Sequence, residues 1–149
     1  MSTSTIPALS IRQPWAWLIV NGFKPIENRT WPTMFRGMLL IHAGKTMTVA
    51  EYDAALLFIN TFIGPDVAAK VPAMDKLERG GFVGVANMVD CVRKSESPWF
   101  TGADTDDGHG FVMADPWPIH FHPYKGKLGF FNVPSFVPIG IPAYQRAAA

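Results

Sequence analysis

The stretch that decides how this chain is read runs from Ala8 to Lys45, ALSIRQPWAWLIVNGFKPIENRTWPTMFRGMLLIHAGK. Ala8–Ile11 reads as a short strand. Pro14 suits a first helical turn, Trp15–Val20 supplies the apolar residues of a short helix, and Gly22 suits the position just beyond its end. Pro25–Arg29 and Met38–His42 read as strands separated by a turn around Pro32–Gly37. The same stretch concentrates charge: Arg12, Lys24, Arg29, Arg36 and Lys45 face one carboxylate, Glu27, and alternate with Trp15, Trp17, Trp31 and Phe35. The formal net charge of +1 therefore hides a basic, aromatic-rich N-terminal third. Cations interleaved with stackable rings suit a nucleotide or single-stranded RNA; a packed core with solvated cations is the plainer alternative.

Outward from this stretch, Thr48-Val49-Ala50-Glu51 is a capping-box pattern. It opens a helix carrying Tyr52, Ala55, Leu56 and Ile59 at helical spacing, and Pro65 and Pro72 are expected to break it. Ala73–Arg79 suits one or two further helical turns. Phe82–Val92 alternates as a long strand with Val83, Val85, Val89 and Cys91 on one buried side and Asn87 among them. His109–Ala114, Pro118–His122 and Leu128–Val133 read as further strands, spaced by turn signals at Asp104–Gly108, Asp115-Pro116 and Lys125-Gly126. Many short strands with two or three helices between them predict an α+β fold built on a partly closed barrel. The 149 residues, 48% hydrophobic and 17% charged, predict a single globular domain over 1–149.

One cysteine, Cys91, supplies neither a disulfide framework nor a zinc pair, and the start MSTSTIP lacks the pattern of a signal peptide. A cytoplasmic protein without a membrane span is expected. Gly44-Lys45-Thr46 resembles the end of a phosphate-binding loop, yet Leu39 stands where that loop needs glycine. Asp104, Asp106 and Asp107 start like a calcium loop, but Gly108 and His109 fall in the wrong order. His120 and His122 share a strand face without a third ligand, and the sequence sets no histidine or helix terminus beside Cys91 to activate it. No metal and no cofactor are expected.

The constellation that remains is Gly22-Phe23-Lys24-Pro25-Ile26-Glu27-Asn28-Arg29. Strand alternation puts Glu27 and Arg29 on one side, able to pair, with Lys24 close to both. Such a lysine can shuttle a proton or clamp a polarised oxygen when burial tunes it; an exposed ion-pair ladder is the other reading.

The G-x-K-x-x-E-x-R pattern of Gly22, Lys24, Glu27 and Arg29, preceded by Leu9–Ala16, resembles the ASCH family of small RNA-associated, PUA-like domains. The likeness continues through Arg36-Gly37, Leu39–Ala43, Gly84–Ala86 and Asp90 to Gly126–Phe130. It implies a partly open mixed β-barrel of about six strands with two or three flanking helices, and a cleft where Lys24 and Glu27 face a nucleotide-like ligand. The leading expectation is a module binding RNA or a modified nucleoside. Trp15 or Trp31 would stack on a base, Arg12, Lys24, Arg29 and Lys45 would contact phosphate or carbonyl oxygens, and Gln13 and His42 would complete the ligand-binding set. The runner-up is a hydrolase with Lys24 and Glu27 as its acid/base pair. Some ASCH-like proteins deacylate N4-acylated cytidine with a lysine, a threonine and a glutamate, and others are associated with RNA cleavage. Lys24 matches that lysine, but Glu27 occupies the threonine's place, with Thr30 a replacement only if the strand bends. A protein-interaction domain of a coactivator-like assembly is a third reading.

Overall fold

The computed structural model describes residues 4–135, so the outermost parts of the expected 1–149 domain, 1–3 and 136–149, lie outside the described residues. Six strands form one mixed sheet: β1 (Thr5–Ile11), β2 (Ile26–Arg29), β3 (Gly37–Ala43), β4 (Gly81–Val92), β5 (His109–Pro123) and β6 (Phe130–Pro134). Their order is β2-β5-β4-β3-β1-β6. β1 runs parallel to β3 and every other pairing is antiparallel. Among the described residues the sheet is not closed, with β2 and β6 at its two edges, and the α+β fold has three helices: α1 (Trp15–Val20), α2 (Val49–Phe58) and α3 (Pro65–Lys70).

Alternation along the inner strands builds two core layers. Leu9, Ile11, Leu39 and Ile41 pack with Ile19 and Val20 of α1, whereas Ala8, Met38 and Leu40 pack with Phe131 and Val133. A third apolar cluster joins Leu18 and Ile26 to Ile59, Val71, Trp99 and Phe100, which seats α2 beside α1.

Several expectations change on folding. Val83 and Val85 lie in different core layers, because the pairing with β5 shifts between Phe82 and Gly84 and an extra residue turns the following side chains over. Val89 is 45% exposed rather than buried, as the extra residue of a further shift between Met88 and Asp90. The two strands expected on either side of Asp115-Pro116 are one strand, β5. Its partner β4 continues past the break, with Asn87 opposite Ala114 and Val85 opposite Trp117, so the additional residue is absorbed as an irregularity with Asp115 at φ 48°.

Thr48 does cap α2, its hydroxyl accepting the Glu51 N–H at 3.1 Å. The helix passes into a π-turn at Ile59–Ile63, and Pro65 then opens α3 as its first-turn residue, a position where a missing N–H costs nothing. Ala73–Arg79 contributes only a 3-10 turn, Met74–Lys76. The strands expected at Pro25–Arg29 and Met38–His42 are present as β2 and β3 but do not pair with each other, since β5 and β4 stand between them.

Candidate functional site

Lys24 reaches its position through the exit of α1. The chain turns at Gly22, whose φ of 84° is the left-handed region glycine adopts freely. The Leu18 carbonyl then accepts both the Phe23 N–H at 2.9 Å and the Lys24 N–H at 3.0 Å. The ammonium is buried, 4% exposed, and donates to the Ile26 carbonyl at 2.5 Å and to Glu27 Oε1 at 3.1 Å. It also lies 5.6 Å from the centre of the Trp15 ring, within cation–π range.

Glu27 and Arg29 point the same way from β2. The Arg29 Nε donates to Glu27 Oε2 at 3.2 Å, and its terminal nitrogen donates to the Ser10 carbonyl at 2.6 Å. Each Glu27 oxygen therefore serves one cation, and the cluster carries a net charge of +1. The Arg29 guanidinium lies 6.0 Å from the Trp31 ring, which Phe111 and Phe130 hold edge-on. Burial pushes the Lys24 ammonium below its ordinary range, and Arg29 adds to this, while Glu27 pulls the other way. A charge removed from water is costly unless its partners replace the lost hydration.

These residues form the floor of a cavity of about 1480 Å³. Of the expected set, Lys24, Glu27, Arg12, Gln13, Trp15, Arg29, His42 and Lys45 all line it. Trp31 does not; its ring lies beside the Arg29 guanidinium and is packed edge-on by Phe111 and Phe130. Gln13 and His42 reach the wall with their polar atoms already engaged. Gln13 donates to the Glu78 carbonyl at 2.8 Å and accepts the Trp17 N–H at 2.9 Å, which ties the start of α1 to the segment before β4. His42 Nε2 lies 2.6 Å from the Tyr124 carbonyl and Nδ1 lies 3.2 Å from the Ser10 hydroxyl. A carbonyl only accepts, so Nε2 carries the proton and Nδ1 accepts from Ser10. Burial holds this imidazole below its usual value, against the pull of the Tyr124 carbonyl.

Arg12 is exposed and donates to Glu51 Oε2 at 2.7 Å across the mouth, which keeps the Glu51 carboxyl below its usual range. Thr30 lies exposed just past the end of β2 and is not part of the lining.

The fold also brings in residues that the local reading did not select. Trp99 and Thr101 enter through Asn28, which donates to the Trp99 carbonyl at 2.9 Å and accepts the Thr101 N–H at 3.0 Å. Arg79, Lys125 and Lys127 add three cations to the four expected, and among the described residues only Glu27 and Glu51 oppose them. Lys127 lies inside the Gly126–Phe130 motif and Lys125 in the Lys125-Gly126 turn signal, the two signals that touched this group. Among the described residues no three ligand-type side chains gather to hold a metal, and no helix is long and apolar enough to cross a membrane.

The ASCH domain family model matches residues 9–134. The chain is 34% identical over 130 residues to Activating signal cointegrator 1 of Mus musculus, and 33% identical over 131 residues to the Homo sapiens protein of that name. Each match covers 80% of this chain but only 22% of the relative, so the chain spans about a fifth of those proteins. Among solved structures, ASCH from Zymomonas mobilis superposes with a TM-score of 0.51 at 13% identity, covering 87% of both chains. A point mutant of that Zymomonas mobilis protein gives 0.51 at 14% identity, covering 89% of this chain and 92% of that one. At such identity the likeness is one of fold.

Proposed function

We propose that this chain, which belongs to the ASCH domain family by the match over residues 9–134, binds RNA or a modified nucleoside in the cavity above Lys24 and Glu27. The family's PUA-like fold is associated with RNA binding. The observation that carries the reading is the Lys24–Glu27–Arg29 cluster, buried at Lys24 and Glu27, in a cavity that Trp15 and Trp99 also line and whose lining is strongly cationic. A base stacked on Trp15 would meet Lys24 as a donor and Glu27 as an acceptor. Two of the three ammonium donors go to Ile26 and Glu27, and the third suits a ligand carbonyl. Concave, ring-lined sites with a few convergent polar groups favour a base over a flat protein surface.

Incubating the protein with a panel of acylated nucleosides and short RNAs, with binding measured at equilibrium and products read by mass, tests this reading. Saturable binding that is weakened in Lys24→Met is the expected result. No binding to any member of the panel would refute it.

One observation favours a second reading, a hydrolase. Lys24 combines burial, a lowered pKa and an adjacent carboxylate, the pattern of a tuned acid/base pair. A carboxylate has about four lone-pair sites, so Glu27 can hold a water while bridging its two cations, with Lys24 polarising the scissile carbonyl oxygen. A shorter product in the mass assay, absent with Glu27→Gln while ligand affinity persists, would establish this activity.

A further inference from the structure

We propose that the loop joining β5 to β6, Tyr124-Lys125-Gly126-Lys127-Leu128-Gly129, holds a phosphate, so that the ligand of the cavity is a phosphorylated nucleoside, free or within an RNA strand. This rests on the cavity being a nucleotide site and adds the chemical group that the outer lining selects.

The loop is pinned at both ends. The Tyr124 N–H donates to the Gly80 carbonyl at 3.1 Å, and the Tyr124 carbonyl accepts from His42 at 2.6 Å. At the far end the Gly129 carbonyl accepts the Ser10 N–H at 3.4 Å, and Ser10 also receives Arg29 from the cavity floor. Between these anchors Gly126 presses on the His42 ring so closely that a Cβ there would come within 2.4 Å of Cε1. The ring cannot retreat, since Ser10 and Tyr124 hold its nitrogens and the Phe82 and Phe131 rings pack against it in T-shaped contacts. The inward-facing glycine thus fixes the exposed lysines on either side of it, and both line the cavity.

The neighbours of the loop are also cationic. Gly80, which holds Tyr124, sits against the Lys45 side chain and follows Arg79. The outer lining therefore gathers Lys45, Arg79, Lys125 and Lys127, whereas the floor is already neutralised in part by Glu27. A bare nucleoside is neutral and offers these four groups nothing to balance; a phosphate does. At about 1480 Å³ the cavity also exceeds the roughly 300–1000 Å³ of ordinary small-molecule sites, which leaves room for a phosphodiester beyond a stacked base.

The test is equilibrium binding of the four common ribonucleosides, their 5′- and 3′-monophosphates and a mixed-sequence single-stranded RNA hexamer to the full chain. The proteins compared are the wild type, the Lys125→Ala/Lys127→Ala double variant and Gly126→Ala. Monophosphates should bind more tightly than their parent nucleosides, and the double variant should shrink that advantage. For the hexamer, the slope of log affinity against log salt should become shallower by about 1.4, roughly 0.7 for each lysine lost. Gly126→Ala keeps both lysines but should also shrink the advantage, because the methyl group drives the loop off His42. Monophosphates no tighter than nucleosides, or a salt slope unchanged in the double variant, would overturn the phosphate assignment while leaving the cavity a nucleoside site. Absence of binding by every probe to the wild type would overturn both.

Discussion

Glu27 occupies a position where one side chain balances two. Its oxygens are divided between Lys24 and Arg29 at 3.1 Å each, and it is 8% exposed, so its removal leaves two poorly solvated cations facing each other. Glu27→Ala is expected to destabilise the protein by about 3–5 kcal/mol, the range for breaking a buried pair. Lys24→Met should cost less, since Glu27 then keeps Arg29; unfolding midpoints in urea would establish the order. His42 makes a prediction in pH. Its folded value lies below the ordinary 6.5, so as pH falls below that value the unfolded chain takes up the proton first. Stability contributed by the neutral ring is complete above about 6.5 and is lost as pH falls through the folded value. Thermal unfolding of the wild type should show this loss, and His42→Gln, which still offers a donor to Tyr124, should flatten it. The identities and spacing of Lys24, Glu27 and Arg29 were legible in the chain because strand alternation is a local rule. That Gln13 and His42 commit their polar atoms to Glu78, Tyr124 and Ser10 was not, because those partners arrive from distant segments.

The helices depend on short-range chemistry and on tight contacts with the sheet. Thr48→Ala removes the hydroxyl that accepts the Glu51 N–H and is expected to cost about 1 kcal/mol, measurable as a shift in urea midpoint. Helix α1 sits so near β4 that a Cβ on Gly84 would meet Val20 Cγ1 at 2.5 Å and the Trp117 carbonyl oxygen at 2.6 Å. Gly84→Ala should therefore destabilise by about 1–3 kcal/mol, the usual cost of overpacking, and circular dichroism with urea unfolding would detect it. α1 and the capped start of α2 could be read from Pro14, Gly22 and the Thr48–Glu51 box. The π-turn after Phe58 and the restart at Pro65 could not, since an apolar run with a proline beyond it is equally compatible with a simple stop.

Across the whole molecule the cavity draws its charge from the residue after β1, the α1–β2 turn, β2, the segment after β3, α2, the approach to β4 and the β5–β6 loop. RNA affinity should fall as salt rises, and Arg12→Ala or Lys45→Ala should each flatten the dependence by about 0.7 in the log–log slope. Arg12→Ala should barely change the urea midpoint, because its pair with Glu51 is exposed. A salt-independent affinity would contradict phosphate contacts altogether. The sequence by itself determined the α+β class, the family and the Lys24–Glu27–Arg29 cluster, because hydrophobic period, caps and the G-x-K-x-x-E-x-R spacing act over a few residues. Only the tertiary structure decided that Val83 and Val85 part to different layers, that Trp31 packs on Phe111 and Phe130 while Trp99 lines the cavity, and that Lys125 and Lys127 flank a glycine wedged on His42. These outcomes depend on register shifts and on segments that meet across the sheet, which no local pattern encodes.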